Sequence, residues 1–76
     1  MLGNAHMTTY QETQRFSCTS KSGRHYVVIE QIKIPRFRDA SPPSRIDYIT
    51  EEGDIADRLD DDHFLLLMTK EVIYRA

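Results

Sequence analysis

Two groups of residues in this 76-residue chain are of types that could do covalent or metal chemistry. Asp54, Asp57, Asp60, Asp61 and Asp62, with His63, offer the oxygen and nitrogen donors that a hard cation collects around itself. Their spacing opposes that use. No Asp-x-Asp-x-Asp-Gly loop is present, and consecutive acids on an extended chain point to alternate sides. A solvated turn, in which an aspartate accepts a nearby backbone N–H, accounts for Asp60 to Asp62 more simply, and neither a metal nor any other cofactor is expected. Cys18 and His25 could face each other across a hairpin as nucleophile and base. Such a pair also needs an orienting third group, an oxyanion site and a pocket that excludes water. Cys18 shares its phase with Phe16, so a small buried apolar side chain is the simpler role. His25 and His63 are expected at strand ends on the surface, and no catalytic residue is assigned.

Two other groups could bind. Arg36-Phe37-Arg38, flanked by Lys33 and Arg45, pairs cations for phosphates with a ring on which a base could stack, as a single-stranded nucleic-acid site requires. The carboxylates downstream oppose a polyanion, and the alternative is that Phe37 plugs the core while the arginines pair with acids. Phe64-Leu65-Leu66-Leu67-Met68 is five apolar residues in a row. Successive strand residues face opposite ways, so such a run needs cover on both faces. Either a closed small barrel buries it, with Leu65 and Leu67 under a loop, or Phe64, Leu65, Leu67 and Met68 meet a protein partner.

The elements that must position these groups read as strands. Tyr10 to Ser20 alternates weakly, Lys21-Ser22-Gly23 supplies a turn, and Arg24 to Ile34 is crowded with Tyr26, Val27, Val28, Ile29, Ile32 and Ile34, which disfavour helix. That second strand is apolar on both faces at its middle, as a central strand packed on both sides would be. Pro35 to Ser44, with prolines at 35, 42 and 43, cannot donate a full ladder and is expected as a loop over the surface or along an edge, either functional, as long loops often are, or a simple crossover between sheet layers. From Ile46 onward, apolar runs alternate with acidic turns at Glu51-Glu52-Gly53-Asp54, at Asp60-Asp61-Asp62 and at Thr69-Lys70-Glu71, the pattern of an antiparallel meander. The rival is a C-terminal helix from about Asp61, capped by aspartates and carrying Phe64, Leu67, Met68, Glu71, Val72 and Arg75 at helical spacing. The β-branched Thr69, Val72 and Ile73, and the absence of a polar side between Phe64 and Met68, favour strand.

Size and charge constrain the rest. A chain this short holds one small domain, over residues 8–76, with residues 1–7 read as a disordered leader or cloning remnant ahead of Met7. Domains of this size bury only roughly 60% of their unfolded surface and gain from association. A single cysteine excludes an internal disulfide, which fits a reducing, cytoplasmic setting, and no apolar stretch is long enough for a membrane helix. Residues 1–45 carry seven basic against three acidic side chains, +4, and residues 46–76 carry three against nine, −6. Two such halves favour complementary self-association or neutralise each other across strands.

The segment Tyr48 to Phe64 reads Tyr, a Gly turn, an apolar-x-x-Arg-Leu-Asp-Asp step at Ile55 to Asp61, then Phe. It resembles a pattern in a family of small bacterial all-β proteins to which no activity is assigned, and Tyr26 to Glu30 is also similar. The resemblance rests on under a third of the chain, implies strands over helix and transfers no catalytic residue. The expected fold is therefore all-β, an N-terminal hairpin plus an antiparallel meander forming a small barrel or strongly curled sheet. The expected function is a small protein-interaction module, not an enzyme, acting through the Phe64–Met68 strand and the Pro35–Ser44 loop, and self-associating as a homodimer or meeting another protein partner through Phe64–Met68. Single-stranded nucleic-acid binding by Arg36, Phe37 and Arg38 is the alternative.

Overall fold

The computed structural model describes residues 9–34 and 45–76. Six strands, β1 (Thr9–Ser20), β2 (His25–Ile34), β3 (Arg45–Thr50), β4 (Ile55–Arg58), β5 (His63–Leu66) and β6 (Val72–Arg75), form a closed antiparallel barrel in chain order. β6 closes it by pairing with β1, Cys18 opposite Arg75 and Ser20 opposite Ile73. Among the described residues there is no helix, so the helical alternative from Asp61 is not realised. Two neighbours settle that choice: Leu65 lies opposite both Asp57 and Val72.

Alternation selects the core. Phe16, Cys18, Tyr26, Val28, Ala56, Phe64, Leu66 and Ile73 fill the interior, and Ser20 and Thr50 are buried with them. Rings of Phe16 and Tyr48 stand 5.4 Å from that of Phe64, within the range where tilted aromatic pairs attract. The second strand is less buried than its composition predicts. Tyr26 and Val28 face inward, but Val27 and Ile29 are only half-buried on the outer face.

The two polar core residues end strands and build matching turns. Ser20 Oγ accepts the Arg24 N–H at 3.1 Å, and Thr50 Oγ1 accepts the Asp54 N–H at 3.0 Å. In each turn a glycine three residues on, Gly23 at φ 91° and Gly53 at φ 98°, takes the left-handed conformation and donates back to the carbonyl of Ser20 or Thr50 at 2.9 Å. One hydroxyl thus terminates the ladder and satisfies itself inside the barrel.

β2 and β3 are neighbours, with Ile32 opposite Ile46 and Lys33 opposite Arg45. β2 and β3 are thus adjacent antiparallel strands, and the proline-rich segment 35–44 between them, expected as a crossover, lies outside the described residues. β1 and β2 extend past the barrel wall: of β1, β6 pairs only with Cys18 to Ser20, and of β3, β4 pairs only with Tyr48 and Ile49. Among the described residues the first half of β1 pairs with β2 alone. A register irregularity between Glu12 and Gln14 lies on this edge, where Arg15 binds Glu12 at 2.6 Å and Glu51 at 2.9 Å. Both features discourage indiscriminate pairing of another strand.

Candidate functional site

The apolar run that could bind a partner is divided by the strand's own geometry. Phe64 and Leu66 point inward and are wholly buried, so Phe64 holds the core and offers no surface. Leu65 is half-buried on the outside. β5 ends at Leu66, and Leu67 and Met68 belong to the turn before β6, where they are 37% and 80% exposed.

Backbone bonds hold this turn firmly. The Leu67 N–H donates to the Ile55 carbonyl at 3.0 Å, the Lys70 N–H to Leu66 at 2.8 Å, and the Leu66 N–H to Glu71 at 2.8 Å. Lys70 adopts φ 65°, a left-handed conformation unfavourable to a residue with a side chain. Leu67 and Met68 are thus displayed by a pinned frame. With Gly53, Asp54 and Ile55 they line an open cleft of about 240 Å³, and Ile55 is itself 59% exposed. Val72, opposite Leu65, is 42% exposed and continues the apolar surface across β5.

The surround is acidic. Asp54 lines the cleft, Asp57 follows Ile55 at the strand period on the same outer face, and Glu51 and Glu52 occupy the adjoining turn. Glu51 is held by Arg15, and Glu52 faces Arg24 at 3.8 Å. Among the described residues neither Asp54 nor Asp57 has an ion-pair partner. Lys70 is the cation of the opposite turn.

At the other end of β5 the same barrel is closed by arginine. The Arg58 guanidinium lies 5.0 Å from the Phe16 ring centre, 5.5 Å from Phe64 and 5.8 Å from Tyr48. It donates through Nε to the Asp60 carbonyl and through Nη2 to the Asp61 carbonyl, both at 3.1 Å. Arg75 lies 5.0 Å from the Phe16 ring centre and also reaches the Asp61 carbonyl, at 3.4 Å. Cation–π attraction and two turn carbonyls account for why an arginine occupies an inward-facing position. Glu30, its side chain 15% exposed, receives the Thr13 hydroxyl at 2.7 Å and the Tyr48 hydroxyl at 2.9 Å, with Arg58 3.8 Å away. The Thr13 hydroxyl, then Tyr48, Gln14 and Arg58, hold the Glu30 carboxyl below the ordinary range against the opposing effect of burial.

The acidic turn itself is self-contained. Asp60 Oδ1 accepts the Asp62 N–H at 2.9 Å and faces His63 Nδ1 at 2.8 Å. These bonds, His63 first, keep the Asp60 carboxyl low. Among the described residues no three acid, histidine or cysteine groups converge on a metal position. Cys18 and His25 are also parted. Cys18 lies opposite Tyr26 inside the barrel, where burial pushes its thiol up, whereas His25 pairs with Thr19 and is exposed.

Arg36, Phe37 and Arg38 lie outside the described residues, as do residues 1–7. Ile55 and Arg58 escaped the sequence reading. Ile55 is visible in hindsight because Ala56, the smaller neighbour, holds the inward phase; Arg58 is the arginine of the Arg-Leu-Asp-Asp step, placed to donate to the turn that follows it. No helix among the described residues is long and apolar enough to cross a membrane. Comparison with known proteins yields no matching family model, curated protein or solved structure.

Proposed function

We propose that this protein is a small interaction module, not an enzyme, that binds a second copy of itself through the outer face of β5 and the turn after it. Leu65, Leu67 and Met68 are the contact residues, joined by Ile55. The observation that carries this reading is the cleft beside Met68: large apolar side chains stand in water on a rigid frame although the barrel interior is already filled. Scattered exposed apolar residues are ordinary, but a contiguous set lining a concavity supports a binding reading. A second copy is the simplest occupant, since small soluble proteins associate most often as symmetric dimers.

Light scattering across a concentration series tests the proposal. The wild-type protein should show a mass rising toward that of a dimer, and Met68→Asp or Leu67→Asp should return it to a monomer with an unchanged far-ultraviolet spectrum. A wild-type monomer at every concentration up to the millimolar range would overturn it.

A further inference from the structure

Resting on the self-association just proposed, we infer that two copies meet end to end, rim to rim, about a twofold axis that passes beside Met68 and sets the basic turn of each copy on the acidic turn of the other. β1, β3 and β5 run in the same direction round the closed barrel, so the three turns that follow them share one rim. Each turn is a different kind of surface. Lys21 to Arg24 brings two cations, Lys21 and Arg24. Glu51 to Asp54 brings three carboxylates, Glu51, Glu52 and Asp54. Leu67 to Glu71 brings one charge of each sign and the exposed Leu67 and Met68. Contacts around the rim tie the three together: the Arg24 guanidinium lies 3.8 Å from Glu52, the Tyr26 hydroxyl donates to Glu71 at 3.2 Å, and the Leu67 N–H donates to the Ile55 carbonyl at 3.0 Å.

With three unlike turns on one closed rim, symmetry decides which meets which. A twofold axis lying across the rim through one turn sets that turn against its own counterpart and exchanges the other two. An axis through the basic turn would oppose two sets of Lys21 and Arg24, and an axis through the acidic turn would oppose two sets of Glu51, Glu52 and Asp54. An axis through the Leu67–Glu71 turn sets Met68 against its counterpart and lays basic turn over acidic turn twice. Of the three, that arrangement is apolar at its centre and complementary on both flanks, as a specific interface is. The charges it uses are open to a second copy. Lys21, Arg24 and Glu52 are exposed, Asp54 lines the cleft beside Met68, and among the described residues neither Lys21 nor Asp54 has an ion-pair partner. The contact uses the same surface of both copies, so it closes at a dimer.

Charge exchange tests this arrangement. In one variant Lys21 and Arg24 become glutamate; in a second Glu52 and Asp54 become lysine; a third carries all four changes and keeps the wild-type net charge of −2. By light scattering, each of the first two should dimerise at least about tenfold more weakly than wild type, because like charges then face each other on both flanks. The third should dimerise as wild type does, since both flanks are complementary again with the signs reversed. Where a double variant does not fold, Lys21→Glu or Asp54→Lys alone, which breaks no ion pair within a copy, takes its place and should weaken the dimer in the same direction. If Met68→Asp dissociates the protein while the first two variants dimerise like wild type, or if the third stays as weak as they are, self-association stands and this arrangement is wrong. If wild type never dimerises, both fall.

Discussion

β5 connects two turns that treat their exposed groups in opposite ways. At the Asp60–Asp62 turn the polar groups are answered from within the chain: Arg58 and Arg75 serve the carbonyls, and the Asp60 carboxylate takes the Asp62 N–H and His63. At the turn after Leu66 the backbone is equally well bonded, but the apolar side chains of Leu67 and Met68 are left in water. Backbone satisfaction and side-chain satisfaction are thus separate properties of a turn. The first end contributes to folding; the second has no folding role that would explain Met68, which is why the binding reading is placed there.

Removing Arg58 should give the largest effect. Arg58→Ala takes a cation off three rings, frees the Asp60 carbonyl, leaves the Asp61 carbonyl to Arg75 alone and leaves Glu30 with one counter-charge fewer. Together these should cost about 2–3 kcal/mol in urea unfolding. Arg58→Met keeps the stem over the rings and should recover part of that loss. A loss below about 0.5 kcal/mol for Arg58→Ala would show that the two ends do not differ as described.

A smaller effect separates the ends by pH. Glu30 has its folded carboxyl pKa lowered, so its contribution is present above the unfolded value of about 4.3 and fades as pH falls through the lower folded value. Wild-type stability should therefore drop on acidification below about pH 4.3. Glu30→Gln should start less stable at pH 7 and show a shallower fall, read from urea midpoints between neutral pH and pH 3. An unchanged slope would mean that the Thr13 and Tyr48 hydroxyls do not distinguish the ionised form.

The outline of the barrel was legible because its strands obey local rules. Gly23 and Gly53 mark turns, Phe16 and Cys18 share a phase, and Phe64 must be covered, all of which depend on neighbours close in sequence. What escaped depends on partners far along the chain. Whether Val27 and Ile29 are covered depends on whether anything packs outside β2, and nothing in residues 24–34 encodes that. Arg58 reads as a surface charge until the rings of Phe16, Tyr48 and Phe64 converge beneath it. The run Phe64 to Met68 was expected to need cover on both faces, but the strand ends at Leu66 and only Phe64 and Leu66 are buried, while Lys70 in the following turn takes a left-handed φ of which a lysine gives no local sign. The cleft arises only when Ile55 and the Leu67–Met68 turn are brought together.

The smallest expected change is the sharpest statement of the contrast. Met68 is 80% exposed, its turn is held by backbone bonds that any side chain permits, and no core residue depends on it. Met68→Ser should therefore shift the unfolding free energy by less than about 0.5 kcal/mol when measured on dilute, monomeric protein. At concentrations where the wild-type protein associates, the same substitution should remove the extra stability that mass action lends to the dimer. A side chain that is silent in the monomer and felt only on association belongs to an interface, whereas a loss already present at high dilution would make Met68 a part of the fold and remove the asymmetry between the two turns.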